Sequence, residues 1–362
     1  MVETIHPADI ESELGRIWES FQGTNKMRAC LFNLIIYAQK GQRNAYLNQI
    51  AQKVIEKFPS RIIFITYDES CKNHDLRTRV SVLTADEGEN EIACDLIEVE
   101  VCSKHHPIVP FVILPHILPD LPVYLVHADD PTEPNPIAEQ LEHLAKRIIF
   151  DSESACNLPA FANAVLKLKD NSHAEIADLN WARTEGWRQL FANVFKSSDE
   201  LERLKGAKKM TIAYNSLETD FLCHTDIQSI YLQTWIAVQL GWNLSDVQPS
   251  KNSLRFSYSQ GLQIELIPSE MQGLSPGRIL SIEIETESGY HYSFKRNPEC
   301  PHHITIEKSS QEYCSLPMHF VLDKDVSGQS LVKEICHKGT STHYIHMLNV
   351  LSGIKNEQLN YE

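Results

Sequence analysis

Two stretches decide the fold: "CLFNLIIYA" at 30–38 and "RIIFITYD" at 61–68. Each is almost continuously apolar, the pattern of a strand buried on both faces. Between them Tyr46, Leu47, Ile50, Val54 and Phe58 recur at helical spacing. Strand, helix, strand in succession is the repeating unit of a parallel sheet covered by helices.

The same alternation continues outward. "DLPVYLVHA" (120–128) and "RIIFDS" (147–152) read as further buried strands, with helices expected around 136–146 and 159–169. "RVSVLTA" (79–85) and "EIACDLIEVEV" (91–101) read as an antiparallel addition. In the second of these, Ile92, Cys94 and Leu96 share one phase and Ile97, Val99 and Val101 the other, which predicts a bulge between Leu96 and Ile97. Upstream, Ile10, Leu14, Ile17, Trp18 and Phe21 predict a helix over 9–21 with Asp9 as its N-cap. Residues 1–200 are therefore expected to form an α/β domain with a largely parallel sheet.

The polar stretch "KSSDELERLKGAKK" (196–209) reads as a linker. Beyond it the periodicity changes. A long helix carries Ile227, Tyr231, Trp235, Val238 and Trp242, and strict alternation follows at Leu254-Phe256-Tyr258, Leu262-Ile264-Leu266, Ile282-Ile284 and Tyr290-Tyr292-Phe294. Gln260-Gly261 and Ser288-Gly289 fit hairpin turns. Residues 205–362 are expected to be an α+β domain built on an antiparallel meander, closed by a helix at Tyr344, Met347, Leu348 and Leu351. With 362 residues, two domains are also what chain length predicts.

The formal charge of −15, with 48 acids against 33 Lys and Arg, excludes a nucleic-acid or anionic-membrane surface as the main partner. The longest apolar run, "IVPFVILPHILP" (108–119), is far shorter than the roughly 20 residues that span a membrane. The acidic N-terminus does not read as a signal peptide. Nine cysteines, an odd number with no C-x-x-C, fit reduced thiols in a cytoplasm.

Motifs of chemistry are scarce. There is no Gly-rich phosphate loop and no G-x-S-x-G elbow, so no cofactor and no catalytic residue is assigned. "HKGTST" (337–342) reads as a loop before the last helix. Cys102, His105 and His106, and again Cys300, His302 and His303, cluster potential ligands without zinc spacing, and no metal is expected. Four residues flank buried strands: Asp120, His127, Asp151 and Ser152. Ligands bind at the carboxyl ends of strands in open α/β sheets, so these four are a candidate pocket, with turn and helix capping as the alternative.

The segment "DLNWARTEGWRQLFANVF" (178–195) places Trp187, Leu190, Phe191, Val194 and Phe195 on one helical stripe. Asp178 is a candidate cap, and Arg183 is spaced to lie over Trp187. Trp181 lies about 120° from Trp187 around one helix, so the two cannot share a core face.

Taken in order, "RACLFNLIIYA", "FPSRIIFI", "LPDLPVYLVH", "AKRIIFDS", the D-L-x-W-x-R-x-x-x-W-R core of residues 178–188 and "TWIAVQLGW" resemble the glucose-6-phosphate dehydrogenase assembly protein family, OpcA, over about residues 28–245. The resemblance implies a non-catalytic accessory protein of bacterial NADPH metabolism. It implies association with glucose-6-phosphate dehydrogenase, favouring its assembled, active oligomer in the oxidative pentose phosphate pathway, as an allosteric activator or by assembly; in some members cysteine redox state is linked to this. On that basis Trp181, Arg183, Trp187 and Arg188 are the candidate partner interface, since such anchors dominate interfaces. The alternative is burial of both tryptophans between the domains. A homo-oligomer is compatible with the sequence. The competing function is a sugar-phosphate-binding enzyme or sensor using the strand-end pocket.

Overall fold

The computed structural model describes residues 4–41, 43–71, 76–84, 91–103, 106, 108–217, 224–250, 253–322 and 328–359. No helix among them is long and apolar enough to cross a membrane. By internal contacts the chain divides into two compact units, each assembled from separated segments. The first comprises Met1–Ser154, Lys167–Leu179 and Ser327–Thr340; the second comprises Ala155–Leu166, Asn180–Val326 and Ser341–Glu362.

In the first unit, α1 (Ile10–Ser20) precedes β1 (Lys26–Arg28) and β2 (Phe32–Gln39). Then come α2 (Arg43–Ile55), β3 (Ser60–Tyr67), β4 (Leu76–Thr84), β5 (Glu91–Val101), α3 (Val109–Ile113), β6 (Val123–Ala128), α4 (Pro136–Leu144) and β7 (Arg147–Phe150). The strands form one sheet in the order β1-β5-β3-β2-β6-β7-β8, where β8 is Glu175–Asp178, and all these pairs are parallel. β4 adds antiparallel to β5, as the alternation at 79–101 predicts. The crossovers run one way from β2 to β3 and the other way to β6, so the switch point of a doubly wound sheet falls between β2 and β6.

One face of this sheet, with Leu34, Ile36, Phe64 and Val126, buries against Leu47, Ile50 and Val54 of α2. Leu331 and Ile335 join the same core from α10 (Gln329–Cys336), late in the chain. Arg147 Nη2 donates to Glu334 of α10 at 2.5 Å and Nη1 to Gly339 O at 2.9 Å, and Ile176 N donates to Thr340 Oγ1 at 2.8 Å, so 337–340 is a loop bonded to β7 and β8.

Three local expectations change. β5 carries no bulge, since Ser81↔Leu96 and Val80↔Ile97 follow in unbroken register. The phase switches because the strand is buried on both faces there: Leu96 packs on the α2 side and Ile97 on the other. Asp9 makes no capping bond to α1. And Cys71 is joined to Cys102 by a disulfide, Cα atoms 5.4 Å apart, where reduced thiols were expected. The two cysteines end up adjacent because β3 and β5 are neighbours and each leaves the sheet at its carboxyl end.

In the second unit, α5 (Leu158–Asn171) contributes its first part, followed by α6 (Leu179–Arg183), α7 (Glu185–Val194) and α8 (Ser198–Lys205). The stretch expected to be a linker is therefore α8, with Ser197 Oγ accepting from Glu200 N, plus the start of β9 (Ala207–Asn215). α9 (Ile227–Leu240) then leads to β10 (Leu244–Ser250), β11 (Ser253–Tyr258), β12 (Gln263–Ser269), β13 (Ile279–Thr286), β14 (His291–Arg296), β15 (His303–Ser309) and β16 (Met318–Val321), before α11 (Thr342–Ser352). The sheet order is β10-β11-β12-β9-β13-β14-β15-β16. The hairpins turn at Gly261 and Gly289, whose φ values of 80° and 76° only glycine adopts cheaply. The meander is interrupted at one place: β9 inserts between β12 and β13, and its pairing with β12 is parallel.

Candidate functional site

The carboxyl edge of the first sheet is built from side chains on one face. Parallel register sets Tyr37, His127, Phe150 and Asp178 side by side on β2, β6, β7 and β8. Tyr67, at the end of β3, stacks on Tyr37 with centroids 5.5 Å apart. The His127 ring lies 6.1 Å from Tyr37 and 5.3 Å from Phe150. It is only 2 % exposed, and neither ring nitrogen has a hydrogen-bond partner among the described residues. Glu142 Oε1 of α4 stands 3.3 Å from Nδ1, close enough for attraction but off the line a hydrogen bond requires.

Two bonded groups cover this edge. Tyr67 donates its hydroxyl to Asp129 Oδ1 at 2.7 Å, and Asn135 Nδ2 donates to Asp129 Oδ2 at 3.0 Å. Asn135 also caps α4 and bonds the Tyr37 hydroxyl. Burial, reinforced for Tyr67 by the Asp129 carboxylate, pushes both phenols far above their ordinary range, so both remain donors at any working pH. The second group is Arg43, the first residue of α2. It ion-pairs through Nη2 with Asp151 and, at 2.9 Å, with Glu153. Ser152 Oγ donates to Asp178 Oδ1 at 3.2 Å.

Of the four expected pocket residues, the structure brings three to this edge: His127, Asp151 and Ser152. Asp120 lies at the opposite end, in the turn before β6, with φ at 63°. That turn is held by Asn33, which bonds Leu118 N at 2.8 Å and Leu118 O at 3.0 Å. Arg43, Glu153, Tyr37, Tyr67 and Asn135 escape a sequence reading. Arg43 alone leaves a trace, as a basic residue in the turn after the first buried strand, where glycines would mark a phosphate loop.

Among the described residues no group of three or more His, Cys, Asp or Glu is placed to hold a metal ion. His105 lies outside the described residues.

The candidate interface sits in the second unit and is not one helix. Thr184 N bonds both Asn180 O and Trp181 O at 3.2 Å, its hydroxyl returns to Trp181 O at 2.9 Å, and the chain restarts as α7. Both tryptophans are buried, at 5 % and 2 % exposure, against different neighbours. Trp181 packs on Tyr344, and the Arg188 guanidinium lies 3.5 Å over its ring. Arg188 Nη1 also donates to Trp181 O at 2.6 Å and to Thr184 Oγ1. Arg183 bonds Asn180 Oδ1 at 2.8 Å, and the Arg296 guanidinium lies 5.6 Å from the Trp187 ring. Arg183 and Arg188 remain half-buried.

The chain matches the family models for the glucose-6-phosphate dehydrogenase subunit N-terminal domain over residues 51–167 and C-terminal domain over residues 174–341. It belongs to the OpcA family. Relatives named putative OxPP cycle protein OpcA occur in Synechococcus elongatus, 25 % identical over 153 residues (42 % of this chain, 32 % of the relative), and in Nostoc punctiforme, 23 % identical over 199 residues (54 % and 40 %). The matched stretches thus span less than half the length of these relatives. Solved structures similar in fold include UDP-N-acetylglucosamine 3-dehydrogenase GnnA of Acidithiobacillus ferrooxidans (TM-score 0.50, 10 % identity, 92 % of this chain and 97 % of that one). Another is the 3-ketoreductase KijD10 of Actinomadura kijaniata, in complex with TDP-benzene and NADP (TM-score 0.51, 8 % identity, 89 % and 95 %). At such identities the likeness is one of fold.

Proposed function

We propose that this chain is a non-catalytic accessory protein that binds glucose-6-phosphate dehydrogenase in the cytoplasm and favours its assembled, active form. The observation that carries the reading is that the family models of a glucose-6-phosphate dehydrogenase subunit match both the N-terminal and the C-terminal parts of the chain. The strand-end geometry is consistent with it. The residues expected to bind a sugar phosphate are split between the two ends of the sheet, and at the carboxyl end Asp151 pairs with Arg43 and Ser152 bonds Asp178. Half-buried Arg188, resting on the buried Trp181, and half-buried Arg183 are the proposed contact points.

The test is dehydrogenase activity and oligomer size at low enzyme concentration, with the cognate enzyme and increasing amounts of this chain. A saturable rise in both is expected. No change in either, under both reducing and oxidising conditions, overturns the reading.

A further inference from the structure

A doubly wound sheet has one preferred ligand position, the crevice outside the carboxyl ends of the strands at the switch point. Dinucleotides bind there when the turn after the first strand is glycine-rich, when the next helix opens with unobstructed amides, and when the pyrophosphate has room over the strand ends. In this chain the crevice falls between β2 and β6, and the residues present do not fit a dinucleotide. The turn after β2 reads Lys40-Gly41-Gln42-Arg43, with one glycine.

Side-chain bonds span both flanks of the switch point. β2 lies between β3 and β6, so the Tyr67–Asp129 bond passes over the end of β2. β6 lies between β2 and β7, so the Arg43 pairs with Asp151 and Glu153 pass over the end of β6. Asp151, Glu153 and Asp178 are all buried at this edge. A pyrophosphate placed here would meet carboxylates in a poorly solvated setting, where like charges repel strongly. The Arg43 guanidinium is instead the group these carboxylates require.

We infer that the crevice is closed on itself: the Arg43–Asp151–Glu153 ion-pair triad takes the place of a ligand, and this dinucleotide-type fold loads no dinucleotide there. The inference is independent of the dehydrogenase reading, because failure to activate the dehydrogenase leaves the following measurements unchanged.

NADP+, NADPH and NAD+ are titrated calorimetrically into the full chain up to about 1 mM, the weak end of specific binding. The same titrations use Gly41→Val. Nothing lies within 4 Å of a Cβ built on Gly41, so valine is tolerated by the fold but stands where a phosphate would cross the turn. No saturable heat in either protein is the expected result. Binding that survives Gly41→Val lies elsewhere and agrees with a closed crevice. Binding that Gly41→Val abolishes overturns the inference. A double-mutant cycle tests the triad directly, using Arg43→Met, Asp151→Asn and their combination in urea unfolding. The two changes should be non-additive by about tenfold or more in the unfolding constant, as for other bonded buried pairs. Additive effects would show that Arg43 and Asp151 do not act as a unit, and would equally overturn it.

Discussion

Replacing Asp95 by asparagine tests the opposite, amino end of the first sheet. Asp95 is 4 % exposed and accepts from Trp18 Nε1 at 2.8 Å, Arg28 Nη2 at 2.6 Å, and Arg61 Nε and Nη2 at 3.0 and 2.7 Å. Arg61 is itself 3 % exposed, and its other partners are His116 O and the half-exposed Glu11. Asparagine retains one acceptor oxygen, enough for Trp18. It turns an amide N–H₂ toward Arg61, donor against donor, and leaves a buried guanidinium short of its counter-charge. Breaking a buried pair from one side costs about 3–5 kcal/mol. Because Glu11 still faces Arg61, the lower end, about 3 kcal/mol, is expected. With urea slopes of about 2–3 kcal/mol per molar, the midpoint should fall by about 1 M or more. The paired replacement Asp95→Asn/Arg61→Met removes the orphaned charge and should recover a large part of the loss. The pH dependence has a definite sign. Burial raises the Asp95 carboxyl, but the bonds from Arg28, Trp18 and Arg61 outweigh it and hold the group below its ordinary value. Its stabilisation is therefore fully present above the unfolded carboxyl value of about 3.9 and is lost as pH falls through the folded one. The gap between wild type and variant should shrink only below about pH 4. A single variant within about 0.5 kcal/mol of wild type, or a double variant no better than the single, would refute the reasoning.

Arg188→Ala removes a stacked cation and two hydrogen bonds and should cost about 1–3 kcal/mol in thermal unfolding, discounted toward the lower value because the side chain is half-buried. Loss of dehydrogenase activation beyond what that destabilisation explains would mark it as a contact; unchanged stability and activation would dismiss both roles. Trp181→Ala should cost about 3–5 kcal/mol, so it is expected to act on folding before it acts on any partner, and a variant with unchanged melting would contradict its burial. Reducing the Cys71–Cys102 disulfide, with partners 31 residues apart, should lower stability by about 3–4 kcal/mol on chain-entropy grounds, read as a drop in the urea midpoint with dithiothreitol. An unchanged midpoint in reduced protein would show that the bond constrains nothing.

The strand–helix–strand at 30–68 is legible because each strand is apolar on both faces and the helix between them is not. Local periodicity contains that information. It does not contain pairings between distant segments. β9 in the middle of the second sheet, α10 joining the first core and the segment 155–166 counted with the second unit all depend on contacts made far along the chain. The same limit applies to the site. His127, Asp151 and Ser152 are foreseeable from the rule that strand ends gather function. Asp120 is misplaced because a strand has two ends and the residue precedes its own. Arg43 is missed because its partners lie more than a hundred positions away. The helix break at Thr184 is hidden for another reason. Threonine is tolerated inside helices, so nothing local announces that its hydroxyl will turn back onto Trp181 O.

The two ends of the first sheet share a logic that bears on function. At the amino end, Arg61, Arg28 and Trp18 converge on Asp95; at the carboxyl end, Arg43 pairs with Asp151 and Glu153, and Tyr67 and Asn135 bond Asp129. In a ligand-binding sheet of this order, substrate and cofactor satisfy many polar groups at the carboxyl end, and the empty site is loose or strained. Here Arg43 and Tyr67 bond carboxylates at that end, while His127 has no hydrogen-bond partner among the described residues. A half-satisfied buried network is worse than an apolar one, so each of these bonds stabilises only while both of its partners are in place. These bonds predict that small ligands fail to stabilise the chain while the proposed partner, the dehydrogenase, does, because only a ligand that binds the folded form shifts unfolding, by about 2.7 kcal/mol at a hundredfold excess over its dissociation constant.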